Sequence, residues 1–185
     1  DKTLTITITN VTISVTASAT TNVTCNGGSN GEITVSSANG GTANYTYSKD
    51  GTNYQSSNVF SSLTAGTYTI YAKDSYGEVG STSVSVTQPA VVSATITQTN
   101  VTCNGGSNGS ISIASPLGGN SGTYTVSIDG VNYLSIPRTY SNLTSDTYTI
   151  YIKDSQGCVA GYSVGISQPT AQSASITNAV NPTCA

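Results

Sequence analysis

Along most of this chain polar and apolar residues change places one by one. The stretches TLTITIT (Thr3–Thr9), GEITVSS (Gly31–Ser37), TYTIYAKD (Thr67–Asp74), TSVSVT (Thr82–Thr87), GSISIA (Gly109–Ala114), TYTIYIKD (Thr147–Asp154) and YSVGIS (Tyr162–Ser167) all follow this pattern. A period of two is that of a β-strand with one wet face and one buried face. The apolar members are β-branched or aromatic, and Gly, Asn, Asp or Pro bounds each run. No apolar pattern recurs at helical spacing, and no convincing helix cap is present. The pattern predicts an all-β protein.

The strands recur as a set. NVTCNGGSNG stands at Asn22–Gly31 and again, letter for letter, at Asn100–Gly109, 78 positions on. TYTIYAKDSYGEVG from Thr67 returns as TYTIYIKDSQGCVA from Thr147, and SVSVTQPAVVSATIT from Ser83 returns as SVGISQPTAQSASIT from Ser163, both at an offset of 80. One copy is therefore expected to have gained about two residues near Pro116 to Gly122. The organisation read from this is module 1 at 12–89 and module 2 at 90–169, each ending just after a Gln-Pro pair.

Both ends continue the pattern. Residues 170–185 match the lead-in to Cys103 and read as the start of a third module or a connector. Residues 1–11, with Leu4, Ile6 and Ile8 on one face, read as the last strand of a preceding module or as a donor strand. Two arrangements fit: a slice of a longer tandem array, or a subunit whose terminal strands complete its neighbours. A lone amphipathic strand is unstable in water, so an intersubunit strand at Leu4, Ile6 and Ile8 is expected to dock. The opening Asp1-Lys2, without a signal peptide, is what a mature product or a fragment would show.

Within module 1 the pattern predicts strands near 13–20, 32–37, 45–49, 52–56, 58–63, 67–73 and 82–87. Seven short strands separated by turns suggest an immunoglobulin-like sandwich, so the expected fold class is two tandem immunoglobulin-like β-sandwich domains with orphan terminal strands. LTAGTYTI and LTSDTYTI place Tyr68 and Tyr148 at the start of a strand, as in the tyrosine corner of such sandwiches. Tyr68, Ile70, Ala72, Tyr148, Ile150 and Ile152 are then expected to point inward. Asp50-Gly51 and Asp129-Gly130 read as hairpin turns. NGGSNG reads as turn chemistry, with Asn and Gly supplying positive φ between strands. It lacks the Lys-Ser/Thr ending and the following helix of a phosphate loop.

VTCNGGSNGSISI, then GTYTV, a Leu and the TYTIYIKDSQGC tail before a Gln-Pro linker, resembles the SprB-type repeat of Bacteroidota extracellular and gliding adhesins. The resemblance spans both modules. It implies a secreted or surface-attached protein of tandem immunoglobulin-like modules, serving gliding or attachment. It also implies a disulfide between the TCNGG-like start and the GC-like end of a module, here Cys103–Cys158. Module 1 departs from this pattern, because Glu78 stands where Cys158 stands in module 2.

The four cysteines are Cys25, Cys103, Cys158 and Cys184. No CxxC pair and no histidine accompany them, so disulfides in an oxidising compartment are preferred to a metal site. If Cys103 pairs with Cys158, then Cys25 and Cys184 are left at equivalent positions of modules one and three. Strand parity offers another pairing. With seven strands the entry turn and the turn before the last strand lie at opposite ends of a module, whereas bridged Cα atoms sit within about 7 Å. That would bring Cys25 to Cys158 across the junction. Both pairings stay open on the sequence.

Composition then narrows the function. Charged residues make up 7% of the chain and the net charge is −3, with Arg138 the single arginine. Nucleic acid, which demands clustered Lys and Arg, is excluded as a partner. No apolar run approaches the ~20 residues of a membrane span. Ser and Thr make up about a third of the sequence, yet without a histidine no Ser-His-Asp triad can be built. The acids fall mostly at predicted turns or strand ends. Calcium binding by Asp74 and Glu78, or by Asp154, would lack any known loop motif, and no cofactor is expected. Tyrosines number twelve. Tyr71 and Tyr151 are expected to face outward and are candidate ligand-facing residues for surface glycans. Sequons at Asn10, Asn22, Asn44, Asn100, Asn108 and Asn142, together with the many Ser and Thr, make glycosylation expected without fixing its place.

The expected function is therefore non-enzymatic: a structural subunit of a bacterial extracellular fibre or adhesin stalk on the cell surface. Its partners are other copies of itself or adjacent repeats, met head to tail. The alternative is a carbohydrate-binding adhesive module using Tyr71 and Tyr151.

Overall fold

In the computed structural model residues 11–175 are described. Leu4, Ile6, Ile8 and Cys184 lie outside them, as do the whole of the expected strand at 1–11 except Val11 and most of the segment 170–185. Every described regular element is a strand, as the alternation predicts. The chain divides into two compact units. The first comprises residues up to Val91 together with Gly118–Gly122 and Ser155–Cys158, and the second comprises the remainder.

The first unit contains β1 (Ser14–Thr21), β2 (Gly31–Asn39), β3 (Thr46–Ser48), β4 (Val59–Leu63), β5 (Gly66–Lys73) and β6 (Val79–Val86). They form one sheet in the order β1-β2-β4 and another in the order β3-β5-β6, with every pairing antiparallel. Alternate residues of both sheets meet in one core. Val23, Ile33, Val35, Phe60, Leu63, Ile70, Val84 and Val86 are buried there, with Val15, Ala17, Ala19, Tyr47, Ala65 and Tyr68 packed around them. Each fully buried aliphatic side chain contributes about 1.5–3 kcal/mol through loss of water contact. That alternation also fixes register, since a slip by one residue would turn Ile70 and Ala72 out to water.

One expected element is reduced. The strand near 52–56 survives only as an antiparallel bridge between Tyr47 and Gln55, whose amides each donate to the other's carbonyl at 2.8 and 2.9 Å. Asp50 removes its start. Its Oδ1 accepts the amides of Thr52 at 2.8 Å and Asn53 at 2.7 Å, which removes those residues from a ladder.

The second unit contains β7 (Ser93–Thr99), β8 (Gly109–Leu117), β9 (Thr125–Ser127), β10 (Leu134–Ser135), β11 (Arg138–Leu143), β12 (Asp146–Lys153) and β13 (Val159–Ile166). The sheets run β11-β8-β7 and β10-β9-β12-β13. Here the strand after the Asp-Gly turn is formed, as β10 against β9. Three strands facing four, with consecutive strands crossing between sheets, is the strand order of an immunoglobulin-like sandwich. Ile111, Ile113, Val126, Ile150 and Ile152 fill its core.

The tyrosine corners are formed in both units. Tyr68 Oη donates to the carbonyl of Thr64 at 3.0 Å, and Tyr148 Oη to that of Thr144 at 3.2 Å. Ile70, Ala72, Ile150 and Ile152 are fully buried, as expected of inward residues. Tyr68 and Tyr148 are half-buried, because the ring packs inward while the hydroxyl reaches back to the corner.

Candidate functional site

The duplicated decapeptide is a turn with a task for nearly every letter. In the first unit Val23 enters the core, and its amide donates to the carbonyl of Thr87 at 2.9 Å. Asn22 Oδ1 accepts the amide of Thr87 at 2.9 Å. Asn30 closes the turn, accepting the amide of Thr24 at 3.0 Å and donating to Thr24 Oγ1 at 2.6 Å. Gly28 donates to the carbonyl of Cys25 at 2.9 Å, and Gly27 has φ of 76°, a conformation open to glycine at little steric cost. Gly31 has no room for a side chain: a Cβ there would lie 2.6 Å from Val86 Cγ1.

The Gln-Pro pair, expected as a linker, belongs to this turn. Gln88 Oε1 accepts the amide of Gly27 at 2.8 Å, and Asn26 Nδ2 donates to the carbonyl of Pro89 at 2.9 Å. The second unit repeats each bond. Gly105 donates to Gln168 Oε1 at 2.7 Å, Asn104 Nδ2 to the carbonyl of Pro169 at 3.1 Å, Val101 to the carbonyl of Ser167 at 3.0 Å, and Ser167 to Asn100 Oδ1 at 3.0 Å. Three of the sequon asparagines, Asn22, Asn100 and Asn108, thus have structural partners for their side chains.

The cysteines resolve into one bond. Cys25 and Cys158 form a disulfide, with Cα atoms 5.4 Å apart and a separation of 133 positions in sequence. Both lie in the first unit, to which Ser155–Cys158 belong. The pairing implied by the family resemblance, Cys103–Cys158, is not formed, and Cys103 is exposed and unbonded. The physical reason is the parity of the sandwich, which sets the entry turn and the turn before the last strand at opposite ends of a module. Cys184 lies outside the described residues.

Around the bond, in the same unit, Asn120 Nδ2 donates to the carbonyl of Thr24 at 2.7 Å, and the amide of Gly119 donates to the carbonyl of Ala90 at 2.9 Å. Ser155 Oγ donates to the carbonyl of Ser121 at 2.9 Å, joining the two short segments. Asn120 was not a candidate from the sequence. Its signal was the length difference between the modules, since it stands in the stretch that carries one of the two extra residues, the other lying between Tyr133 and Leu143.

The acidic residues serve turns. Asp50 Oδ1 accepts from Ser48 Oγ as well as from two amides, and Asn53 Nδ2 donates to Oδ2 at 2.7 Å. These bonds, the Asn53 side chain foremost, hold the Asp50 carboxyl far below the usual carboxylate range. Asp129 is held low in the same way, chiefly by Ser127 Oγ and then by Asn132. Asp74, buried, accepts the amides of Thr42, Tyr76 and Glu78 at 2.9 Å each, and the Thr42 amide leads in lowering its pKa. Among the described residues no group of three or more His, Cys, Asp or Glu is arranged to hold a metal.

Tyr71 and Tyr151 are half-buried, and each ring lies against the glycine of its hairpin turn. A Cβ on Gly51 would touch Tyr71 at 3.4 Å, and one on Gly130 would touch Tyr151 at 3.3 Å. Nearby, the ammonium of Lys73 sits 3.8 Å from the ring centroid of Tyr54, and that of Lys153 sits 3.6 Å from that of Tyr133.

Each compact unit is therefore an immunoglobulin-like β-sandwich whose first turn is tied to its last strand. Residues 17–52 and 95–132 match the family model of the SprB repeat, at equivalent places of the two modules. Repeats of this kind occur in surface proteins. No curated protein sequence matches the chain. Among solved structures, domains 3–5 of the extracellular part of Drosophila OTK are similar over 83% of this chain and 60% of that one, at 15% identity and a TM-score of 0.32. A C-terminal fragment of intimin, solved with the intimin-binding domain of its translocated receptor, is similar over 85% of this chain and 64% of that one, at 14% identity and a TM-score of 0.37. The fibronectin(III)-like modules of Clostridium thermocellum CbhA are similar over 83% and 95%, at 15% identity and a TM-score of 0.29. The chain spans less than two thirds of the first two. Its assignment as a sandwich rests on its own strand order. Among the described residues no helix is long and apolar enough to cross a membrane.

Proposed function

We propose that this chain is a non-enzymatic structural segment of an extracellular, adhesin-type stalk or fibre, extended head to tail through its terminal strands. The observation that carries this reading is the pair of matches to the SprB repeat, each within a sandwich with the same closed entry turn. Such duplication multiplies a building unit, whereas a catalytic centre is seldom duplicated intact. The lack of any histidine in the sequence is in keeping with this.

A feature of the second unit supports joining by strands. A groove of about 370 Å³ runs between β7 and β13, lined by Ala94, Ile96, Gln98, Tyr162 and Val164 among others. A strand such as Thr3–Thr9, with Leu4, Ile6 and Ile8 on one face, has the alternation to lay apolar side chains on such a lining. The reading is tested by light scattering and negative-stain microscopy of residues 1–185 and of the same chain lacking residues 1–11. Regular fibres from the full chain and none from the shortened one are expected. Fibres unchanged by the deletion would sink strand joining.

A further inference from the structure

Two turns of identical sequence have different surroundings. In the first unit the entry turn is covered: Cys25 is bonded to Cys158, the carbonyl of Thr24 accepts from Asn120, and the carbonyl of Ala90 accepts from Gly119. The equivalent groups of the second unit are Cys103, Thr102 and Thr170. The turn that holds them is built by the same internal bonds, Gly105 to Gln168 and Asn104 to Pro169 among them. Cys103, however, is exposed and unbonded, and a cavity of about 380 Å³ lies against it, lined by Thr102, Cys103, Asn104, Pro169, Thr170 and Gln172. Among them Thr102, Cys103 and Thr170 are the counterparts of Thr24, Cys25 and Ala90, which Asn120, Cys158 and Gly119 cover in the first unit.

We propose that this cavity is a covalent docking site for the paired loops of another SprB-type repeat, and that Cys103 forms a disulfide with that repeat's cysteine. The occupant is defined by what covers Cys25: a Gly-Gly-Asn loop that supplies an amide and a carboxamide donor, beside a Gly-Cys loop that supplies the thiol. The first repeat of this chain does not qualify. Thr42 stands in place of Asn120, Glu78 stands in place of Cys158, and the loop after Gly41 is one residue shorter. A second copy of the chain therefore cannot present its first repeat to Cys103, and the site selects a repeat of the second kind.

The bond forms by thiol–disulfide exchange with a small-molecule disulfide as oxidant. The Cys103 thiolate attacks one sulfur of the oxidant, giving a mixed disulfide and releasing one thiolate. The partner thiolate then attacks Cys103 Sγ and expels the second. Two electrons reduce the oxidant to two thiols, which take up the two protons lost from the cysteines. This inference does not require strand exchange, and its readout is separate from the deletion of residues 1–11.

The test turns the first repeat into an occupant. In the full chain, with Cys184→Ser to remove the remaining cysteine, residues 42–44 are replaced by the Asn-Ser-Gly-Thr of 120–123 and Glu78→Cys is introduced. In a buffer of reduced and oxidised glutathione this chain is expected to give a ladder of linked dimers and higher species on non-reducing gels. Peptide mapping should find position 78 joined to Cys103. Adding Cys103→Ser should abolish the ladder. The linkage should also be at least about tenfold faster than for a chain bearing Ser61→Cys, an exposed position, instead of Glu78→Cys, because docking raises the effective thiol concentration. An intact Cys25–Cys158 peptide in the same digest certifies the fold. With that peptide present, no ladder, a ladder that survives Cys103→Ser, or a rate equal to that of the Ser61→Cys control would each overturn the proposal.

Discussion

Gln88 reaches back across 61 residues to accept the amide of Gly27 at 2.8 Å, so the residue that leaves the first module closes the turn that began it. Gln168 does the same for Gly105. Gln88→Ala should cost about 0.5–1.5 kcal/mol, the usual net value of one such bond. Urea melts would read this loss, and amide exchange at Gly27 should accelerate in the variant. Exchange unaltered at Gly27 would mean that the bond is not maintained in solution.

The Cys25–Cys158 disulfide closes a loop of 133 residues. Removing a native bridge from a small extracellular domain typically costs about 2–5 kcal/mol, by releasing constraint on the unfolded chain. Cys25→Ser, or reduction of the wild type, should lower the first transition in a denaturant melt by that order. Limited proteolysis should then cut near Gly118–Gly122 and Ser155–Gly157, which the bond and the Asn120–Thr24 contact hold in place. Identical melts with and without reductant would contradict this.

The tyrosine corners offer a cleaner substitution. Tyr68→Phe and Tyr148→Phe keep the ring and delete a hydroxyl that donates to a backbone carbonyl. Each should cost about 1 kcal/mol, and the two should add, because they lie in different units. Thermal melts of the single and double variants would show it.

Acid should weaken both units through their turns. Asp50 and Asp129 have folded-state pKa values held well below the ordinary value. A lowered folded pKa gives stability that is complete above the unfolded carboxyl value, near 3.9, and is lost as pH falls from there through the folded value. The melting temperature should thus be level from pH 7 to about 5 and decline below about 4. Asp50→Asn with Asp129→Asn should flatten that decline, and a decline of unchanged steepness would exclude these carboxylates as its source.

The alternation made the sheets legible in advance. Ile33, Ile70, Ile111 and Ile150 are buried where period two puts them, because a half-wet sheet leaves no other solution. The corner at Tyr68 was legible for a similar reason, since a Leu, a turn and a Tyr at fixed spacing is a local signature. The strand near 52–56 was misjudged because alternation cannot weigh a ladder against a carboxylate. Asp50 takes the very amides that a longer strand would need. The entry turn was visible as turn chemistry, but its bonds to Gln88 and Pro89 were not, being contacts between residues more than sixty positions apart. The cysteine pairing had two candidates on the sequence, and only the spatial arrangement separates them.

The closed entry turn also has a mechanical meaning. Asn22, Val23, Asn26 and Gly27 bond to Thr87, Gln88 and Pro89 through four separate contacts. A pull on the chain leaving at Ala90 meets these contacts, at Pro89, Gln88 and Thr87, before the last strand can peel from its sheet, so force is resisted at the exit of the module. Single-molecule stretching should show the rupture force fall in Gln88→Ala.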